Sequence, residues 1–242
     1  MKIEVWSDVA CPFCYIGKQN LEKALKQFAF KDEVKVEYKS FELDPSAPVY
    51  NGQSFYEKLL SKFGDAEQTK QFLENLTQSA KKVGLTFNLE GLKPTNTFDS
   101  HRLTKWAKTK GKEADILENL LNAHFTDSKD VGDHETLADL AEASGLDRQE
   151  ALKVLNDKSL YADEVRSDQI EAKRYGISGV PFLIINQKYA VSGAQPAEAF
   201  LEALNKVWEE ENPLLKLKNI SVNNEDDTLC TDGSCGIPPR KK

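Results

Sequence analysis

Val5-Trp6-Ser7-Asp8-Val9-Ala10-Cys11-Pro12-Phe13-Cys14-Tyr15-Ile16-Gly17 decides how the rest of this chain is read. The apolar run Ile3 to Trp6 predicts a strand. Ser7 and Asp8 form a short polar link, and helical periodicity follows from Ile16 to Phe28. Cys11 therefore falls at or beside a helix N-cap, and Pro12 suits the first helical position, where a missing N–H costs nothing. Unpaired N–H groups and partial positive charge at such a terminus favour a thiolate over a thiol. Cys14 lies one turn in, on the same side, within reach of a disulfide. The expected arrangement is an attacking Cys11 on the outside with a resolving Cys14 behind it. The plain alternatives are a structural disulfide and half of a zinc site, but a metal site usually needs a second ligand pair and only one distant candidate exists. A strand leading directly into Cys-x-x-Cys and a helix favours redox chemistry.

Outward from this turn, Val34 to Tyr38 alternates valine with charge and predicts a second strand. Strand, helix and strand make a βαβ unit, whose crossover favours a parallel pair. Phe41 and Leu43 follow, and Asp44-Pro45-Ser46-Ala47-Pro48 predicts a loop. Residues 54–176 change character. Phe55, Leu59, Leu60 and Phe63 form one helical stripe, ended by Gly64; Phe72, Leu73, Leu76, Ala80 and Val83 form another, ended by Gly84. Leu85 to Leu89 alternates and predicts a short extended segment. Helices are expected at Asp99 to Lys110, Glu113 to Phe125, His134 to Ala143, Gln149 to Leu155 and Tyr161 to Tyr175, with Gly111, Gly145 and Gly176 as stops and Asp133 as a cap.

At Gly176 the pattern reverts. Val180 to Ile185 predicts a buried strand opening with Pro181, Asn186-Gln187 a tight turn, and Lys188 to Ser192 the return strand of a hairpin. A last helix follows, in which Phe200, Leu201, Leu204, Val207 and Trp208 share a face. The predicted class is α/β: a thioredoxin-like order, β-α-β then β-β-α, split by an all-helical insertion. The expected divisions are 1–53 with 177–212 for the thioredoxin-like part, 54–176 for the insertion and 213–242 for a C-terminal extension.

Composition bounds the function. Apolar residues make up 40% of the 242, enough for a proper core. There are 39 acidic against 32 basic residues, net −7, which argues against general nucleic-acid binding. No apolar run is long enough to span a membrane, and Met1 enters a strand within two residues, unlike a signal peptide. A cytoplasmic protein is expected, and four cysteines in a reducing compartment suggest chemistry or metal more than structural bridges.

In the extension, Pro213 stops the last helix and Asn223 to Asp227 is a polar, acidic run. Cys230-Thr231-Asp232-Gly233-Ser234-Cys235 suits a turn closing a small disulfide loop. Three readings stand: an auxiliary redox couple exchanging with Cys11 and Cys14, a loop-closing staple, or half of a zinc site.

Taken together, Ser7-Asp8, Cys11 to Gly17, Asn96-Thr97 with His101-Arg102-Leu103, Gly132 to Leu137 and Gly179-Val180-Pro181-Phe182 resemble the DsbA family of thiol-disulfide oxidoreductases, and within it the FrnE-like branch of cytosolic members. The resemblance covers about residues 1–210, and the second cysteine pair sharpens it. It implies that Cys11 is the nucleophile and Cys14 the resolving thiol, supported by Pro12, Phe13 and Pro181. It implies a cis Pro181 packed beside both cysteines, and a Val180 backbone offered to an extended substrate. Exchange would run through a mixed disulfide with protein or small-molecule disulfides and thiols, with glutathione or thioredoxin as reductant and no cofactor or metal. Strongly oxidising members carry histidine where Phe13 stands. Phe13 supplies neither a hydrogen bond nor charge to the thiolate, so a weaker oxidant is expected. The alternatives are a kappa-type glutathione transferase or 2-hydroxychromene-2-carboxylate isomerase, whose family generally has serine at the position of Cys11, and a zinc-binding or redox-sensing module using all four cysteines.

Of the three histidines, His134 is expected at the surface of a helix start, His124 in a core or at its edge, and His101 facing the cleft between insertion and core. Trp6, Trp106 and Trp208 read as core anchors. Gly17 inside a helix costs about 1 kcal/mol against alanine and is expected to permit close approach of a neighbouring element.

Overall fold

A computed structural model describes residues 1–213; Cys230, Cys235 and the rest of the extension lie outside the described residues. Strand β1 (Lys2–Ser7) leads into helix α1 (Pro12–Gln27), and β2 (Lys35–Ser40) follows. Seven helices then run in succession: α2 (Phe55–Phe63), α3 (Ala66–Lys82), α4 (Phe98–Thr109), α5 (Glu113–Phe125), α6 (His134–Ala143), α7 (Arg148–Asn156) and α8 (Ala162–Arg174). The hairpin β3 (Phe182–Ile185) and β4 (Tyr189–Ser192) and helix α9 (Ala197–Glu211) complete the order. The sheet runs β2-β1-β3-β4. β1 pairs parallel with β2, Val5 opposite Tyr38, and antiparallel with β3, Val5 opposite Leu183. The predicted α/β class, the split order and the parallel crossover are therefore present.

Local chemistry explains most element boundaries. Ser54 and Glu57 form a capping box at α2, and Asp65, Asp133 and Asp147 each accept a backbone N–H at the starts of α3, α6 and α7. Gly111, Gly145 and Gly176 stop helices with φ of +71°, +80° and +70°, a region costly for other residues. Asn186 and Gln187 both have positive φ (50° and 56°), and the Lys188 N–H bonds to the Ile185 carbonyl (3.0 Å), closing the tight turn between β3 and β4.

One strand boundary differs from expectation, and the expected extended segment at Leu85 to Leu89 lies outside the sheet. β3 begins at Phe182, not Val180, because Pro181 has no N–H to give the ladder; its carbonyl instead accepts the Gly193 N–H at 2.8 Å. Leu85 to Leu89 joins no sheet. The Asn88 N–H bonds to the Phe125 carbonyl at the end of α5 (2.7 Å), and Phe87 stacks against Tyr15 and Phe125. Its alternation reports a buried aromatic, not strand pairing.

One continuous core joins Ile3, Val5 and Tyr15 to Leu120, Phe125 and Leu137 of the helical block and to Phe200 of α9. Trp6 and Trp106 are buried, whereas Trp208 is only partly so: it stacks on Phe30 (4.3 Å between centroids) at the edge of the α1–α9 contact. Arg102, fully buried, ties α4 to the α7–α8 connection by donating to the carbonyls of Val154, Asp157 and Leu160 and to Asp99. Gly17 earns its place in α1: a Cβ there would meet the Pro181 ring at 3.1 Å and Ala194 at 3.5 Å. Gly17→Ala is expected to lower stability by about 1–3 kcal/mol, since the ring must shift to admit the methyl. Thermal unfolding at neutral pH measures this; an unchanged midpoint would mean the Pro181 loop yields freely.

Candidate active site

The site is built where β1 hands over to α1. Cys11 is the N-cap of α1 and Pro12 occupies the first turn. The Cys11 N–H donates to the Asp8 carbonyl (3.1 Å) and the Cys14 N–H to the Cys11 carbonyl (3.0 Å), which folds the two thiols onto one turn. Both are free. Across from them, the Val180–Pro181 peptide bond is cis, and the Cys11 Sγ donates to the Val180 carbonyl at 3.5 Å. The expected juxtaposition of Cys11, Val180 and Pro181 is thus formed from two ends of the chain.

The expectation of an outer and an inner thiol needs correction. Cys11 is 4% exposed and Cys14 2%, so both are buried. What separates them is access. Cys11 borders a pocket of about 540 Å³ and Cys14 does not. Burial, reinforced by the adjacent Cys11, pushes the Cys14 thiol well above its ordinary range, against the opposing pull of the Ser7 side chain and the Asp8 backbone. Cys14 is therefore held as a thiol in the reduced state. Phe13 is 38% exposed and meets Phe72 of α3 edge-on at 6.4 Å, so the helical block reaches the Cys-x-x-Cys turn directly.

Asp8 organises the loop beneath the cysteines. Its Oδ1 accepts from Thr97 Oγ1 (2.8 Å) and the Ala10 N–H (3.2 Å) and faces His101 Nε2 at 3.3 Å; its Oδ2 accepts the Leu43 N–H (2.8 Å). Burial pushes this carboxyl up, but His101 and the hydrogen bonds outweigh that and hold it below the ordinary carboxylate range. His101 thus lies between core and insertion as expected, though buried rather than open to a cleft. His134 stands at the start of α6 as expected, partly exposed, with Nε2 2.9 Å from Asp99 of α4.

His124 is buried, and its Nδ1 has no hydrogen-bond partner. It lies on the pocket wall, where burial pushes it down to about 4 from an ordinary 6.5. Between those values the unfolded chain binds more protons than the native one, so stability falls as pH drops through this window. The full effect is on the order of 3 kcal/mol. His124→Gln is expected to remove that part of the acid sensitivity, and urea midpoints at pH 7 and pH 4.5 measure it; equal losses in wild type and variant would sink this account.

Sequence reasoning named the cysteines, Val180 and Pro181. Asp8 and Thr97 enter the sequence pattern without a role of their own, although an acidic residue just before a Cys-x-x-Cys turn is a usable signal. Sequence reasoning did not find Lys58, Lys62 or Phe72, which line the pocket and carry no local signature. Among the described residues no group of three His, Cys, Asp or Glu is placed to hold a metal, and no helix is long and apolar enough to cross a membrane.

Comparison with known proteins agrees with this geometry. A family model described as DSBA-like thioredoxin domain matches residues 2–205. The chain is 28% identical over 205 residues to the uncharacterized protein YwbO of Bacillus subtilis (strain 168), covering 84% of this chain and 95% of that one. Among solved structures it is similar to a protein described as a probable DsbA oxidoreductase from Streptomyces coelicolor, with 42% identity, 93% and 97% of the two chains covered and a TM-score of 0.84. It shares its fold with the cytosolic disulfide reductase DsbM from Pseudomonas aeruginosa, solved with GSH, at 15% identity, a TM-score of 0.55 and 85% and 100% coverage.

Proposed function

Because the chain belongs to the DSBA-like thioredoxin domain family, we propose that it is a thiol-disulfide oxidoreductase working through Cys11 and Cys14. The observation that carries this reading is the position of Cys11. It caps α1 beside the pocket, with Cys14 one turn behind and the Val180 carbonyl 3.5 Å from its sulfur. As a reductase, the Cys11 thiolate attacks one sulfur of a substrate disulfide, forms a mixed disulfide and releases the other half as a thiolate. Cys14 then gives up its proton, taken overall by the released substrate thiolate, and attacks the Cys11 sulfur. The Cys11–Cys14 disulfide forms and the second substrate thiolate leaves. The reverse sequence oxidises a dithiol, and interrupted turnover isomerises.

Protein disulfides are the proposed substrates, with the Val180 backbone offered to the extended chain around the cysteine. Phe13 gives the thiolate no polar support, which favours reduction or isomerisation over strong oxidation. The proposed reductant is glutathione or thioredoxin; the Pseudomonas aeruginosa DsbM solved with GSH supports the former. Cytoplasmic operation, with Cys230 and Cys235 as an auxiliary redox pair, completes the proposal. A kappa-type transferase or isomerase reading ranks below it, since those enzymes generally place serine where Cys11 stands.

Catalysed reduction of insulin by dithiothreitol tests the reading. Wild type is expected to shorten the lag before precipitation. A Cys230→Ser/Cys235→Ser variant is expected to slow turnover with glutathione as reductant while leaving the dithiothreitol-driven reaction intact. An inactive wild type would remove protein disulfides as substrates.

A further inference from the structure

We propose that the pocket beside Cys11 selects disulfides that carry a carboxylate near the reacting sulfur, and that Lys58 and Lys62 read that charge. The inference rests on the oxidoreductase reading and adds a substrate class to it. The pocket, about 540 Å³, falls among volumes that enclose small molecules or side-chain-sized arms, roughly 300–1,000 Å³. Cys11, Phe13 and Val180 form one side. Helix α2 supplies Lys58 and Lys62 to the other, four residues apart and so on one helix face.

The formal charges of the lining cancel, Asp8 and Asp44 against Lys58 and Lys62, but both aspartates are engaged by donors of the protein itself. Asp8 also borders the pocket, but it is buried and its oxygens are engaged by Thr97, Ala10 and Leu43. Asp44 on the rim lies 4.0 Å from Lys58, with both side chains well exposed, a geometry worth little in water. Lys62 has no carboxylate within 4.0 Å among the described residues, where Lys58 pairs only with Asp44. Burial holds the His124 ring neutral; there the Asp8 charge, which favours protonation, outweighs the opposing charge of Lys58. His124 adds a buried, neutral ring to the same wall. Phe13 and Phe72 add a flat apolar surface for the rest of the arm. A carboxylate-bearing arm with an apolar body satisfies all of these together, whether it belongs to a small disulfide or to a side chain flanking a peptide cysteine.

The test uses the full chain with Cys230→Ser and Cys235→Ser, so that only Cys11 and Cys14 react. Reduced protein is mixed with 5,5′-dithiobis(2-nitrobenzoate), an anionic aromatic disulfide, or with neutral 4,4′-dithiodipyridine. Each turnover oxidises the dithiol and releases two aromatic thiolates or thiones. A second arm uses peptides disulfide-bonded to a reporter thiol, with Glu or Gln beside the cysteine. In Lys58→Gln/Lys62→Gln the anionic-to-neutral rate ratio is expected to fall about tenfold, and the wild-type ratio to fall with added salt. A fall with the small disulfides alone assigns the site to small disulfides; a fall with the peptides alone assigns it to peptides. An unchanged ratio in both arms, or equal loss toward anionic and neutral partners, overturns the proposal. Failure of the parent reading looks different: wild type would then react with neither reagent faster than a Cys11→Ser control.

Discussion

Cys11→Ser is expected to lower the rate of catalysed disulfide exchange by at least about a thousandfold, because the hydroxyl cannot replace the attacking thiolate. Cys14→Ser should behave differently. The first attack still occurs, but no resolving thiol follows, so the mixed disulfide on Cys11 accumulates. With Cys230→Ser and Cys235→Ser in both variants, intact mass after mixing with a disulfide substrate distinguishes the two: no adduct in the first variant, a stable one in the second. The difference follows from the structure. The Cys11 sulfur borders the pocket and the buried Cys14 does not. An adduct on Cys14 in the Cys11→Ser variant at a comparable rate would reverse the assigned roles.

The largest stability effect is expected at Asp8. Its buried carboxylate holds Thr97, Ala10 and Leu43 by hydrogen bonds and faces His101, so one side chain joins the β1–α1 turn to the loop after β2 and to the start of α4. Asp8→Ala leaves those partners buried without an acceptor. We expect a loss of about 3–5 kcal/mol, comparable to breaking a buried ion pair from one side, and a thermal midpoint lower by roughly 10 °C. The pH dependence carries a separate signature. The folded carboxyl sits below its ordinary range, so its stabilisation is complete above the unfolded value of about 3.9 and is lost as pH falls through the lower folded value. Asp8→Ala should therefore lose less stability than wild type on acidification below about pH 4. Equal acid losses in both proteins would show that the carboxylate gains nothing from its partners. The same variant should also slow exchange, since the Asp8 side chain holds the Ala10 N–H, one residue before Cys11.

How much could be read in advance depends on the range of the forces involved. The strand into Cys11, the proline start of α1, the glycine helix stops and the Asn186-Gln187 turn were all legible, because each is set by conformational preferences within a few residues. So was the split α/β order, since hydrophobic period changes at residues 54 and 176 and back again. The Leu85–Leu89 segment was legible only as extended: two-residue alternation describes any half-buried extended chain, and only the carbonyl of Phe125 decided where the Asn88 N–H would go.

The sequence by itself determined which residues bring chemistry: a dithiol on a helix N-terminus, and a Val-Pro segment whose role was implied by resemblance alone. Tertiary structure decided what surrounds them. Val180 meets Cys11 across 169 residues, Thr97 reaches Asp8 across 89, and the α2 lysines share a pocket with a cysteine that no nearby motif connects to them. It also decided that Cys11 is buried, which a helix N-cap does not imply. These features depend on how helices seat on the sheet, where a small change of crossing angle or register changes which side chains meet, and no local pattern encodes that sum of contacts.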